Sequence, residues 1–298
     1  MFSPAHPLWL VGFRPFFALA CLAGLSLPVA WILIFRGVLP APAQHFSPVQ
    51  WHAHEMFFGF GWAVLGGFLL TASKNWVGVR GYHGGTLMFL AAAWIFERIG
   101  MSFGAGWPAP LFLLSNNLFL MSIVVLLLAT LIRHRGKDSY RRDNIFFLII
   151  LPLFWIAKTL LLQPDHFHLG WSMTLGLFRV AFLVMLERTL SQFMRSAFSV
   201  EILRRPALDT TIKVLAALLV FAALFPAPLP AGLELLLAVL LLGRLAFWHP
   251  LKGFSRLDIG IMFLGYLAIV AQLLIDALPP PGTLGWVGTV AVHAFTFG

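Results

Sequence analysis

The chain has 298 residues, of which 60% are hydrophobic and only 10% charged, with a mean hydropathy of +0.91. That composition excludes a water-soluble domain, whose apolar fraction is lower and whose charged fraction is about a quarter. The net charge of +9 does not call for nucleic acid, because basic loops that stay on the cytoplasmic side of a membrane account for it.

Apolar stretches of about 17 to 25 residues, long enough to cross a hydrocarbon core, occur near residues 16–35, 51–72, 84–101, 110–132, 144–163, 168–190, 212–228, 232–248 and 257–276, and a tenth begins near 284. The runs are continuously apolar and do not alternate, so they predict helices and not barrel strands. The expected fold is all-α, a polytopic transmembrane bundle in one integral domain over 1–298, with nine full spans and a tenth cut short at Gly298. The first span is too long for a signal-peptide core and reads as a retained anchor. Pro226-Ala227-Pro228 and Pro279-Pro280-Pro281-Gly282 read as helix-breaking turns between spans.

Lysine and arginine set the orientation. The segments 74–80, 133–142, 188–213 and 244–256, with Arg14, carry sixteen of the twenty Lys and Arg residues on one side, against Arg36 and Arg98 on the other. The N-terminus is therefore expected in the cytoplasm. His45, His52, His54, His166 and His168, with Glu55, Glu97, Asp165, Glu234 and Asp276, then belong to the outer rim. Cys21 is the single cysteine, which excludes an intrachain disulfide and thiolate metal clusters.

No Walker loop, dinucleotide fingerprint, zincin motif or nucleophile elbow occurs. The chemistry concentrates in Trp51-His52-Ala53-His54-Glu55-Met56, at the mouth of the second span. On an α-helix His52, Glu55 and Met56 share a face and His54 points elsewhere. Imidazole suits copper, haem iron and zinc, a thioether suits Cu(I) or haem, and Glu55 can orient a ligand histidine from behind. The plainer reading of the same residues is an interfacial anchor for the helix. Arg179 falls near the middle of a span, where an unpaired cation costs about 3 kcal/mol, and it calls for a haem propionate, a carboxylate or a water-filled cavity. Lys158, nearer a span end, is expected to snorkel. His293 lies about ten residues into the last span, about 15 Å along the helix, where it suits an axial haem ligand or a hydrogen bond to a neighbouring carbonyl.

Taken together, Arg14-Pro15-Phe16-Phe17, the Trp51–Met56 hexapeptide, Gly67-Phe68-Leu69-Leu70-Thr71-Ala72 with Asn75-Trp76, and His293-Ala294-Phe295-Thr296-Phe297-Gly298 resemble the NnrS family in the same order. The resemblance implies a bacterial inner-membrane protein that holds haem and copper and serves the response to nitric oxide or nitrosative stress, with the histidine motif on the periplasmic side. It carries cofactor roles onto His52, His54 and His293; with the residue chemistry above, the expected cofactor-binding residues are His52, His54, His293 and Arg179, and the expected metal ligands His52, His54, Met56 and His293, with Glu55 in support. Its partners are the lipid bilayer, nitric oxide or a related small species, and an electron donor that spacing does not identify. NnrS-like chains continue past the His293 segment into further spans and a Gly-His-Thr-Gly-Arg-like motif, so this chain is expected to stop short inside a helix. Rival readings of the same residues are a cofactor-free transporter lined by Arg179 and Lys158, and a factor that hands haem or metal to an oxidase.

Overall fold

The computed structural model describes residues 3–42, 46–278 and 289–297, and among them every regular element is helical. Nine of the described helical segments are long and apolar enough to cross a membrane: Phe13–Phe35, Pro48–Val77, Gly85–Gly106, Ala109–Arg133, Asn144–Leu162, Pro164–Phe198, Pro206–Leu224, Leu229–Ala246 and Leu257–Asp276. The protein is a polytopic transmembrane helical bundle. Its chain divides into two compact units, Met1–Trp171 and Ser172–Gly298.

In the first unit, α1 (Phe13–Phe35) turns Leu22, Leu25 and Ile32 outward, as a lipid-facing surface requires. Its N-terminal end is locked to α3 (Trp62–Val77). A Cβ on Gly67 would come within 2.7 Å of the Phe16 Cβ, so these helices approach as closely as a small residue allows. The Phe13 N–H, otherwise an orphan of the first turn, donates to Thr71 Oγ1 at 2.8 Å. Two of the sequence segments that resemble the NnrS family are thus packing partners.

The short helix α2 (Pro48–His54) starts at a reciprocal cap: Ser47 Oγ accepts from the Gln50 N–H, Gln50 Oε1 accepts from the Ser47 N–H, and Pro48 occupies the first turn. Gln50 Nε2 then donates to the Leu161 carbonyl at 3.1 Å, tying α2 to α6 (Asn144–Leu162). Trp51 is buried in an apolar cluster with Phe46 and Met101. Gly78, at φ +63°, ends α3 in the left-handed conformation that glycine adopts without cost. The next two helices, α4 (Gly85–Phe103) and α5 (Ala109–Arg133), pack on each other across the short Gly104–Gly106 turn, and Pro108 precedes the start of α5.

Most of α7 (Phe167–Phe198) lies in the second unit, which continues through α8 (Pro206–Leu218), α9 (Leu229–Ala246), the single turn α10 (Pro250–Gly253), α11 (Leu257–Asp276) and α12 (Val290–Phe297). Within it, α11 packs on both α9 and α12, and Phe295 of α12 meets Phe182 of α7 with ring centroids 5.7 Å apart. Between α9 and α10 the backbone turns through His249 at φ +50°, a strained position for a non-glycine residue.

The helix boundaries follow the hydropathy of the sequence with one difference. The basic segment 188–213, expected as a loop, is helical as far as Phe198, and Arg188 and Lys213 are buried. Helix α7 is simply longer than a membrane is thick. The early part of the expected tenth span and His45 lie outside the described residues. Gly67→Ala should destabilise the protein by about 1–3 kcal/mol through overpacking, read as a lowered thermal midpoint in detergent. Gly243→Ala, whose added Cβ meets nothing within 4 Å, should leave the midpoint unchanged or raise it slightly.

Candidate functional site

The helix that carries the histidine motif changes its winding inside the motif. From Glu55 to Gly61 it is a π-helix, and Trp62 donates its N–H to the Phe57 carbonyl five residues back. Glu55, whose N–H closes the α-helical turn on the Trp51 carbonyl, turns its carboxylate to His54 and Arg98. His52 instead lays its ring on Trp31, with centroids 4.3 Å apart and planes 12° from parallel. Met56, half-buried, is the second residue of the π segment.

His54 is completely buried and sits between two carboxylates. Its Nδ1 lies 3.2 Å from Glu55 Oε1, and its Nε2 lies 3.4 Å from Glu97 Oε1 and 3.3 Å from Asn116 Nδ2. Because a carboxylate only accepts, Nδ1 donates to Glu55; in the neutral imidazole Nε2 then accepts from the Asn116 amide. Lys158 donates from Nζ to both Glu97 Oε1 and the Asn116 carbonyl. Arg98 closes the cluster, with Nε 3.1 Å from Glu55 Oε2 and Nη2 3.3 Å from Glu97 Oε1. Gly59, in the π segment, leaves room for that guanidinium, since a Cβ there would stand 2.5 Å from Arg98 Nη1.

Two carboxylates thus meet two cations around the His54 imidazole. Glu55, Glu97 and Lys158 are each no more than 1% exposed. This corrects one expectation: Lys158 does not snorkel. Glu55 and Glu97, expected on the outer face, are buried within the protein, as is Glu234, 9% exposed, in the second unit. An ammonium can reach water only if no acid lies closer, and Glu97 lies closer. Asp165, His166 and His168 remain exposed.

Both ring nitrogens of His54 are engaged, so a metal could bind it only by displacing Glu55, Glu97 or Asn116. His54, Glu55 and Glu97 do not converge on one point, and among the described residues no group of three or more His, Cys, Asp or Glu is arranged to hold a metal ion. Among the described residues a centre of three or four such ligands is not assembled, which leaves single imidazoles as the candidates.

His293, in the second unit, has the form such a ligand takes. Its Nδ1 lies 2.8 Å from the Thr289 carbonyl of its own helix. A carbonyl only accepts, so Nδ1 carries the proton and Nε2 the lone pair. In the same unit, Arg179 Nε donates to Gln272 Oε1 at 3.2 Å, Gln272 Nε2 donates to Asp276, and both Asp276 and Glu234 act on the guanidinium electrostatically. Arg179 has protein carboxylates for counter-charges and does not require a propionate.

Residues 7–298 match the family described as NnrS protein. The chain belongs to the NnrS family. No curated protein and no solved structure matches this NnrS chain.

Sequence reasoning singled out His54 and Glu55 but not Asn116 or the Glu97–Lys158 pair. The polar Asn116 and the basic Lys158 inside apolar runs were the available signals; which acid Lys158 meets, 61 residues away, was not. Removing one partner of a buried pair leaves the other charge uncompensated, at about 3–5 kcal/mol. Lys158→Met should therefore cost that much in denaturant or thermal unfolding. The double variant Lys158→Met, Glu97→Gln should recover part of the loss, which a pair contributing nothing would not do.

Proposed function

We propose that this NnrS-family protein binds haem in the bacterial inner membrane and meets nitric oxide or a related small species there, in relief of nitrosative stress. Family membership over nearly the whole chain supports the reading. The observation that carries it is the imidazole of His293, held by the Thr289 carbonyl in the tautomer an axial ligand needs. Bound haem would supply an iron position open to a small gas. The chain's own part is to orient the His293 ring through the Thr289 carbonyl.

Copper, the second metal of the NnrS resemblance, would be held by His52 and Met56, an imidazole and a thioether that together suit Cu(I). His54, occupied on both nitrogens, fits better as the residue that fastens the motif to α4 and α5 than as a ligand. The distribution of Lys and Arg supports a cytoplasmic N-terminus and a periplasmic histidine motif. Nitric oxide is small and apolar enough to arrive through lipid, so no large substrate cleft is needed.

A second reading, transport of a solute without a cofactor, draws on the Lys158–Glu97–His54 cluster, because ionisable groups inside spans commonly mark a path. Optical spectra separate the two. The purified protein should show a Soret band that shifts with nitric oxide; His293→Ala should abolish it, and His54→Gln should leave it in place at reduced thermal stability. Bound copper, measured in parallel, should fall in His52→Ala. A colourless, metal-free and well-folded protein would defeat the haem reading in favour of transport.

A further inference from the structure

The second unit buries another ionic cluster, at the end of the bundle formed by the C-terminal third of α7, the start of α8 and the end of α9. Glu187 of α7 accepts from Arg204 Nη2, from Lys213 Nζ at 3.3 Å and from Arg244 Nη1 at 3.5 Å. Asp209 of α8 accepts from Arg204 Nε at 3.2 Å and lies 3.7 Å from Arg244 Nη1. Whereas two carboxylates meet two cations in the cluster of the first unit, these contacts join two carboxylates to three cations. Arg188, the next residue of α7 and also buried, brings a fourth cation to the same stretch of helix.

The donors are in excess as well as the charge. Arg244 is 1% exposed; its Nε donates to Tyr266 Oη at 3.2 Å and its Nη1 faces the two acids, but its Nη2 is buried without a hydrogen-bond partner. The guanidinium lies over the Trp248 ring, 4.5 Å from the centroid, and the fully buried Trp248 Nε1–H also has no partner. Tyr266 Oη accepts from Arg244 Nε and donates to the Leu241 carbonyl at 2.8 Å, and neither Arg244 Nη2 nor Trp248 Nε1 is hydrogen-bonded to it. Two buried N–H donors, on a guanidinium and on the indole it stacks over, are therefore left without an acceptor at the end of α9. Buried donors in native proteins are nearly always met. Arg204, whose side chain is 39% exposed, links the cluster to the surface, next to Arg205 stacked on Phe247 at 4.5 Å.

We propose that the Arg244–Trp248 corner of this cluster binds a phosphate-type oxyanion, admitted past Arg204 and Arg205. A guanidinium and an indole N–H offer such an anion charge and direction together, and its oxygens would accept from Arg244 Nη2 and Trp248 Nε1. The anion has two sources, free inorganic phosphate or the headgroup of an anionic lipid.

The test uses the full chain in nanodiscs of neutral phosphatidylcholine, titrated with inorganic phosphate and followed by thermal unfolding, alongside native mass spectrometry after extraction in phosphatidylglycerol. Trp248→Phe keeps the ring over Arg244 and removes only the N–H. Trp62→Phe is the control, because Trp62 Nε1 is equally buried and unpartnered but packs on Phe154 and has no guanidinium over it. A rise in the unfolding midpoint with phosphate, weakened about tenfold in Trp248→Phe and unchanged in Trp62→Phe, supports the site with a free anion as its ligand. No response to phosphate, but retention of phosphatidylglycerol that Trp248→Phe loses, supports the site with a lipid headgroup as its ligand. If phosphate does nothing and Trp248→Phe holds lipid as the parent does, the proposal is overturned and water alone meets these donors.

Discussion

A charge inside a bilayer must find its counter-charge within the protein, because lipid tails offer none and water is far away. That requirement organises both units. In the first, Lys158 is held by Glu97, and Glu97 in turn by Arg98, so helices distant in sequence meet where carboxylates find cations. In the second, Glu187 gathers cations from the segment before α8, from α8 and from α9, two of which also face Asp209.

The histidine motif shows how local winding and tertiary contact act together. A π segment is uncommon and loses helical packing efficiency, so it persists where something outside the helix uses it. Here Glu55, the first residue of that segment, pairs with both His54 and Arg98, while Trp94 Nε1 donates to the Gly59 carbonyl farther along it. The motif is thereby split between two tasks. His52 is stacked at its outer side on Trp31, and His54 is committed inward. A ligand role fits the first more readily than the second, although the two imidazoles stand only two residues apart.

Much of the architecture was legible beforehand because hydropathy is a local property. A run such as Phe13–Phe35 has one low-energy place in a membrane, and its backbone has one way to satisfy itself there. The candidate site was legible only in part. His52, His54, Glu55 and His293 stand out as polar residues at apolar positions, and Lys158 and Arg179 stand out for the same reason. Their partners did not, since Glu97 with Lys158 and Arg179 with Gln272 are joined across 61 and 93 residues. The error over Lys158 has the same origin: its distance from a span end is a local measure, whereas the position of the nearest acid is not.

By itself, the sequence determined that the chain lies in a membrane as a bundle of helices, and its motifs marked the NnrS family, since composition, apolar length and ordered motifs are written residue by residue. Only the tertiary structure decided which charges are neutralised, that His54 is occupied on both nitrogens, that the motif winds as a π-helix, and that Arg244 and Trp248 are left with N–H groups unmet. These depend on helix packing that brings together side chains far apart in the chain, and no local pattern encodes which of several buried charges will lie within hydrogen-bond reach of another.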